Sequence, residues 1–436
     1  ELQEFNLINY RRCIRQYNEK EQEIRKKIRE ELVSAQIDRL PDVREGAVNM
    51  QEVGKLNGLV RRRGRQPAIR TFFEETPHFL MNLYPCMIMN PSAVAEYIPL
   101  DFPEFDTVII DEGSQMPTYK ALIPIAHGKR CLIFGDEQQM PPTSFFKKQQ
   151  EDEDGYAAPI ESILEDAIAT SMPRKMLKCH YRSEHESLIA FSNQKYYDNE
   201  IVTFPSCNTE MSGVSYEFVK DGCYDRGGKA TNEPEARRVI EKVQEIYRQL
   251  PSNTEETLGI LTLNVNQRDL IQNLLINAAM EDIDFGRKVD NLVSVVNLEA
   301  CQGREWDNVV ISTGYGKDKN GNFTVNMGPL NTAEGSSRLN VLLTRSRKRM
   351  YVVTSLMPEM FAKAERQGSR DLGDFLAYAR GDLQFDTREM DSEKSGKGVA
   401  DALAKELRKA GYEVHTNIGS SKCKVDIGVV SKTCKD

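Results

Sequence analysis

The sequence is poor in the residues that build metal clusters and in the runs that cross membranes. It holds only 5 His, and its 9 Cys include no CxxC pair, which argues against a zinc site and for free thiols in a reducing, cytoplasmic setting. No apolar run reaches the length of a bilayer, so no membrane partner is expected. Net positive charge is also lacking. At a formal net charge of -8, any polyanion would have to be held by local basic patches. The opening "ELQEFNLINYRRC" has neither an initiator Met nor a signal-peptide pattern, and the closing "SKTCKD" follows directly on a strand-like run. Both ends are expected to be cuts in a longer polypeptide.

What is present is enough apolar residue, 39% of the chain, for two or three cores. Residues 1–80 are charged and helix-like: "YNEKEQEIRKKIREELVSAQI" spaces its apolar residues helically among Glu, Lys and Arg, as a solvated helical arm would. From Cys86 the short runs "CMIM", "TVII" and "CLIF" each lead into a turn and a helix candidate, the alternation of parallel strands with covering helices. The polar stretch "KKQQEDEDGYAAP" reads as a linker. Beyond it the alternation resumes, with strands at "VSYEFV", "LGILTL", "VSVVNL", "NVVIST" and "MYVVTS". Helices are expected at Pro234 to Gln249, Asn266 to Met280 and Ser337 to Arg347. A last section adds the helix "VADALAKELRKAGY" and the strands "EVHTNI" and "KVDIGVV".

Five segments carry chemistry. "TVIIDEGSQ" ends an apolar strand in Asp111 and Glu112. In parallel sheets ligands gather at the carboxyl ends of strands. There one carboxylate can hold Mg²⁺ through its waters while its neighbour, pointing elsewhere, activates an attacking water. Alone, the pair could equally be acids opening a loop. "LIFGDEQQMPP" ends a second strand in Gly135 and Asp136, with Gln139 placed to hydrogen-bond a phosphate or the lytic water. "LKCHYRSEHES" puts Arg182 just before a helix, and "NLEACQGREWDNVVIS" carries Gln302, Gly303, Arg304 and Glu305. "SSRLNVLLTRSRKRMYVV" places Arg338, Arg345 and Arg347 along one expected helix, a pattern that by itself usually marks a solvated face.

Taken together, in this order and spacing, the segments resemble the superfamily 1 helicases, in the branch of the nonsense-mediated-decay RNA helicase and its DNA-helicase relatives. "DEGSQ" is similar to motif II, "GDEQQMPP" to motif III, "HYRSEHES" to motif IV, "QGREWD" to motif V and "RLNVLLTRSR" to motif VI. The resemblance covers roughly residues 80–355. It is closest to large bacterial AAA-domain helicases that end in a very-short-patch-repair-like endonuclease domain. It implies ATP and Mg²⁺ as cofactors and single-stranded or partly duplex nucleic acid, DNA rather than RNA, as partner, with 5′→3′ travel. Asp111 then looks like the Mg²⁺ ligand, Glu112 the general base and Gln139 the γ-phosphate sensor. Arg182 and Arg345 look like arginine fingers, whose charge meets oxygens that gain charge in the transition state. Gly135, Asp136, Gly303 and Glu305 fall at nucleotide-side positions of the motifs. Asn90, Ser92 and Gln302 fall at strand-contacting ones. Gly113 stands where the family usually has Ala, a small-for-small exchange.

One motif is missing from the 436 residues: no Gly-Lys is followed by Ser or Thr, so the GxxxxGK[ST] loop that cradles phosphates is absent from this sequence. The expected fold is α/β with RecA-like parallel sheets. It comprises a helical arm over 1–80, a partial first lobe over 81–150, a complete second lobe over 151–385 and a truncated restriction-endonuclease-like tail over 386–436. In the tail Asp426 is one acid of a metal site whose downstream pair is wanting. Such a chain is expected to be inactive alone. The competing expectation is a non-catalytic scaffold that binds nucleic acid or protein; a nuclease loaded by the motor is a third.

Overall fold

The computed structural model of the protein describes residues 7–40, 47–61, 64, 67–142, 162–205, 213–251, 253–383, 397–419, 421 and 423–430. The expected linker at "KKQQEDEDGYAAP" lies outside them, as do Lys432, Lys435 and Asp436. Contacts divide the chain into two compact units, residues 1–135 with 144–170, and residues 136–143 with 171–436.

The first unit opens with the long helix α1 (Leu7–Arg39), followed by α2 (Ala47–Val60), α3 (Ile69–Glu75), α4 (Pro77–Leu83) and α5 (Pro91–Tyr97). α1 is mostly exposed and carries ion pairs at helical spacing, such as Arg25 with Glu21 at 2.6 Å and Lys20 with Glu23 at 2.7 Å. Such pairs stabilise a solvated helix by a few tenths of a kcal/mol each, roughly. Glu52 ties α2 to α4 by accepting the Phe79 N–H at 2.7 Å. The strands β1 (Val108–Ile110) and β2 (Cys131–Ile133) pair in parallel, with α6 (Thr118–Ala126) between them in sequence and α7 (Ile163–Ala169) after them. Ile110, Ala121 and Ile163 form their small core. A Ser162/Glu165 capping box starts α7.

The expected strand at "CMIM" does not form. A strand needs a neighbour to take its main-chain hydrogen bonds. Among the described residues the sheet here holds β1 and β2 alone, and Ile88 is left 98% exposed.

The second unit is a five-stranded parallel sheet of β3 (Val214–Phe218), β4 (Leu258–Thr262), β5 (Val293–Asn297), β6 (Trp306–Ser312) and β7 (Ser346–Thr354). Their order is β3-β7-β6-β4-β5. Side chains alternate strictly between the faces, so each central strand feeds two cores. Ile260, Val310 and Val353 face α9 (Glu233–Gln249), α10 (Val265–Glu281) and α11 (Ile283–Leu292). Leu261, Val309 and Val352 face α8 (Ser187–Tyr196), α12 (Gly335–Leu343) and α13 (Gln367–Arg380). Both faces are covered, which is why these strands read as continuous apolar runs. Gly259 is needed in β4 because a Cβ there would lie 2.5 Å from Cδ2 of Trp306.

The helix expected over Ser337 to Arg347 is shorter than its arginine pattern suggested. It ends at Leu343, where Thr344 closes it with a hydroxyl bond to the Asn340 carbonyl at 3.0 Å. Trp306 N–H then bonds the Arg345 carbonyl at 3.1 Å and draws the chain into the sheet, so Arg347 lies in β7. The tail consists of α14 (Lys397–Lys409) and the antiparallel strands β8 (Val414–Ile418) and β9 (Val425–Val429).

Candidate nucleotide and strand site

In the first unit, Asp111 and Glu112 stand at the carboxyl end of β1, both exposed. Asp111 Oδ1 accepts the Glu112 N–H at 3.0 Å, and Glu112 takes a left-handed backbone (φ 54) that turns its side chain away from the strand direction. Gln115 Nε2 then donates to Glu112 Oε2 at 3.0 Å. Each carboxylate is thus held by a local contact of its own. Gly135, at the end of β2, is packed against this turn. A Cβ on it would sit 2.9 Å from Ser114 N and 3.2 Å from Gly113 N. The close approach that glycine permits here is to the acid loop itself. A Cβ at Gly113 would meet the Ile133 Cγ2 methyl at 2.6 Å, so an alanine at this position would require the Ile133 side chain to shift. Asn90 caps α5 by accepting the Ala93 N–H at 2.7 Å, and Ser92 is exposed in its first turn.

Asp136 to Met140 belong to the second unit. Met140 is buried in its core with Leu188 and Leu339. Asp136 Oδ1 accepts the Gln138 N–H at 2.9 Å, and its Oδ2 accepts both Gln139 Nε2 at 3.0 Å and the Tyr197 hydroxyl at 2.6 Å. Asn340 on α12 donates Nδ2 to the Gln138 carbonyl and to the Tyr197 oxygen, each at 2.9 Å. Burial, with the Asp136 carboxylate beside it, pushes the Tyr197 phenol far up, so it remains a donor.

The arginines differ in their settings. Arg182 is partly exposed; its Nε donates to Glu305 Oε2 at 3.0 Å and its Nη1 to the Thr344 carbonyl at 3.4 Å. Arg345 is 3% exposed and turned inward, with Nε on the Val341 carbonyl at 2.6 Å, Nη1 on the Arg304 carbonyl at 3.3 Å and Nη2 on Thr344 Oγ1 at 2.9 Å. Gly303, at φ 73, opens the turn before Arg304 and has open space where a Cβ would stand. Gln302 presents a buried Nε2 without a partner among the described residues. His180, two residues before Arg182, accepts the Ser183 N–H at 3.1 Å through Nε2. Burial, then the Arg182 charge, pushes its imidazole down to about 4.

Sequence reasoning missed a buried network at the carboxyl ends of β6 and β7. Glu235, fully buried near the start of α9, accepts from Gly314 N at 2.7 Å, Ser312 Oγ at 2.8 Å, Ser355 N at 2.8 Å and Ser355 Oγ at 2.9 Å. Asn232 caps α9 and exchanges hydrogen bonds with Gln267 on α10. The signal was there to read: Asn, two residues, then Glu at a helix start is a capping pattern. In the tail, Asp426 lies exposed on β9. Among the described residues no group of three or more His, Cys, Asp and Glu could hold a metal ion.

The chain is similar to known families and proteins. Two family models described as AAA domain match residues 92–147 and 160–357. An uncharacterized ATP-dependent helicase of Mycoplasma genitalium, MG140, is 28% identical over 373 residues, which span 81% of this chain and 32% of that protein. The ATP-dependent helicase upf1 of Schizosaccharomyces pombe is 27% identical over 276 residues, 60% of this chain and 27% of that protein. The 5′-3′ DNA helicase ZGRF1 of Mus musculus is 26% identical over 266 residues, 58% of this chain and 13% of that protein. Together these matches support a superfamily 1 helicase. The chain spans about a third of the length of the Mycoplasma genitalium protein and of that protein's Mycoplasma pneumoniae homolog. No described helix is long and apolar enough to cross a membrane.

Proposed function

We propose that this chain is part of an ATP-driven translocase on single-stranded nucleic acid, DNA rather than RNA, travelling 5′→3′. The observation that carries the reading is the acid pair at the carboxyl end of β1, followed in chain order by the Gln139, Arg182 and Arg345 segments. The name of the mouse relative supports DNA and the polarity; the upf1 match keeps the RNA-active branch as the comparison to test against. The exposed Asp111 carboxylate is an oxygen donor suited to Mg²⁺ through its waters. Mg²⁺, bound with ATP, would neutralise charge on the phosphates. Glu112 takes the proton of the attacking water, and Gln115 fixes its carboxylate by holding Oε2. Gln139 is oriented by Asp136 to report on the phosphate. Arg182 supplies positive charge, exchanging its Glu305 partner for phosphate oxygens.

Because the 436 residues contain no GxxxxGK[ST] loop, the chain alone is expected to release no phosphate from ATP above background, with or without single-stranded DNA. In a polypeptide that carries this chain together with such a loop, strand-stimulated ATPase is expected. Glu112→Gln should lower its kcat by about 10²–10⁴-fold. Retention of wild-type turnover by Glu112→Gln would overturn the assignment.

A further inference from the structure

The chain leaves the first unit at Gly135, and its next residues, Asp136 to Thr143, count with the second. Met140 anchors that segment in the apolar core at 4% exposure. Its polar end is held by two side chains that no motif reading singled out. Tyr197 closes α8 and donates its hydroxyl to Asp136. Asn340, fully buried on α12, divides its two N–H donors between the Gln138 carbonyl and the Tyr197 oxygen. Asp136 passes the constraint on, because the oxygen that receives the Tyr197 proton also receives Gln139 Nε2.

We infer that Tyr197 and Asn340 are positioning residues that latch the segment Asp136–Met140 onto α8 and α12 and thereby set the direction of the Gln139 amide. The chain of contacts runs Asn340 to Tyr197 to Asp136 to Gln139, each link between 2.6 and 3.0 Å. The Tyr197 hydroxyl is the keystone: it donates once and accepts once, and a phenylalanine would leave its ring in place while removing both bonds. α12 also leads into Thr344 and Arg345, so the latch connects the Gln139 segment to the helix that precedes the arginine. Its consequence for turnover rests on the motor reading above; its existence as a latch does not.

The test has two parts. Hydrogen–deuterium exchange is measured on the 436-residue chain as wild type, Tyr197→Phe and Asp136→Asn, the last covering the case in which the tyrosine variant fails to fold. A hydrogen bond to an ionised group, once lost, should speed opening of the held segment by about tenfold or more. Peptides spanning residues 136–140 should therefore exchange about tenfold faster in either variant, while peptides from β4 and β6 stay as in wild type. Unchanged exchange at 136–140, or acceleration spread evenly over the second unit, would overturn the latch. In a polypeptide that also carries a phosphate loop, Tyr197→Phe should lower kcat about tenfold and leave KM for ATP within about twofold, because orientation of Gln139 is lost and nucleotide binding is not. A raised KM with kcat unchanged would overturn the positioning role. If the wild-type polypeptide hydrolyses no ATP, the motor reading fails, and the exchange measurement still decides the latch by itself.

Discussion

Replacing Glu235 by glutamine exchanges one oxygen for an amide in a site made wholly of donors. Each carboxylate oxygen faces one backbone N–H, Gly314 for Oε1 and Ser355 for Oε2. The hydroxyls of Ser312 and Ser355 can rotate to accept instead, but the backbone groups cannot. Whichever way the glutamine amide is turned, its NH₂ meets a backbone N–H head-on. The loss has two parts: a charge-assisted bond worth about 1.5–3 kcal/mol, and a buried donor left unmet at about 1–3 kcal/mol. Their sum, roughly 2.5–6 kcal/mol, is a large share of the 5–15 kcal/mol typical of a domain. Burial pushes the Glu235 carboxyl above its ordinary value, and the donors on both oxygens oppose that push. A proton on either oxygen would face the same backbone N–H groups, so the ionised form fits the geometry. The assay is urea unfolding followed by tryptophan fluorescence. The sequence has a single tryptophan, and Trp306 sits in the core of the second unit, so the signal reports that unit alone. At a slope of about 3 kcal/mol/M the midpoint should fall by about 1 M or more. A shift below about 0.3 M would refute the reasoning, because it would mean the network tolerates a donor where the structure shows only acceptors.

Two other outcomes follow from the same unit. His180 is pushed down to about 4, so between about 6.5 and that value the unfolded chain binds the proton and the folded chain does not. Stability should therefore fall as pH drops through that window, by on the order of 1–2 kcal/mol once partial exposure is allowed for, and His180→Gln should flatten the Trp306-monitored profile; identical profiles would count against it. Arg182→Ala should leave the fold intact, since it removes a half-exposed pair with Glu305, yet lower strand-stimulated ATPase in a loop-bearing polypeptide by about 10³-fold or more; turnover near wild type would remove Arg182 from the mechanism.

The parallel sheet of the second unit was legible because burial on both faces writes a simple signal. "LGILTL" and "NVVIST" are apolar at nearly every position, and the β4 and β6 strands they became have both faces covered by helices. Helix starts were legible for a local reason, since Asn232 and Asn264 each cap the helix they precede and need no partner far away in sequence. The run "CMIM" has strand composition but lacks what decides the matter, a neighbouring strand in register, and composition cannot supply it. The acid loop was half legible. Its two carboxylates stood out, but the packing of Gly135 on Ser114 joins residues from two strands and is invisible along one.

Arg345 shows where local reading stops. Arginines at close spacing ordinarily mark a solvated helix face, and the motif resemblance points this one toward phosphate. In the structure it faces inward, because the helix ends at Leu343 and three acceptors converge on the guanidinium: the Val341 and Arg304 carbonyls and the Thr344 hydroxyl. Cutting the side chain back removes all three donations from a residue that is 3% exposed. Arg345→Ala therefore removes a structural donor as well as a charge, and a loss of turnover in that variant would not separate chemistry from folding. Arg182 is less entangled, since its main-chain contact, Nη1 to the Thr344 carbonyl, is long at 3.4 Å. Its partner Glu305 is itself about half exposed and can be solvated when the arginine leaves. The two residues carry the same resemblance but opposite burial, so a charge-specific role for the arginines can be read cleanly from Arg182 alone.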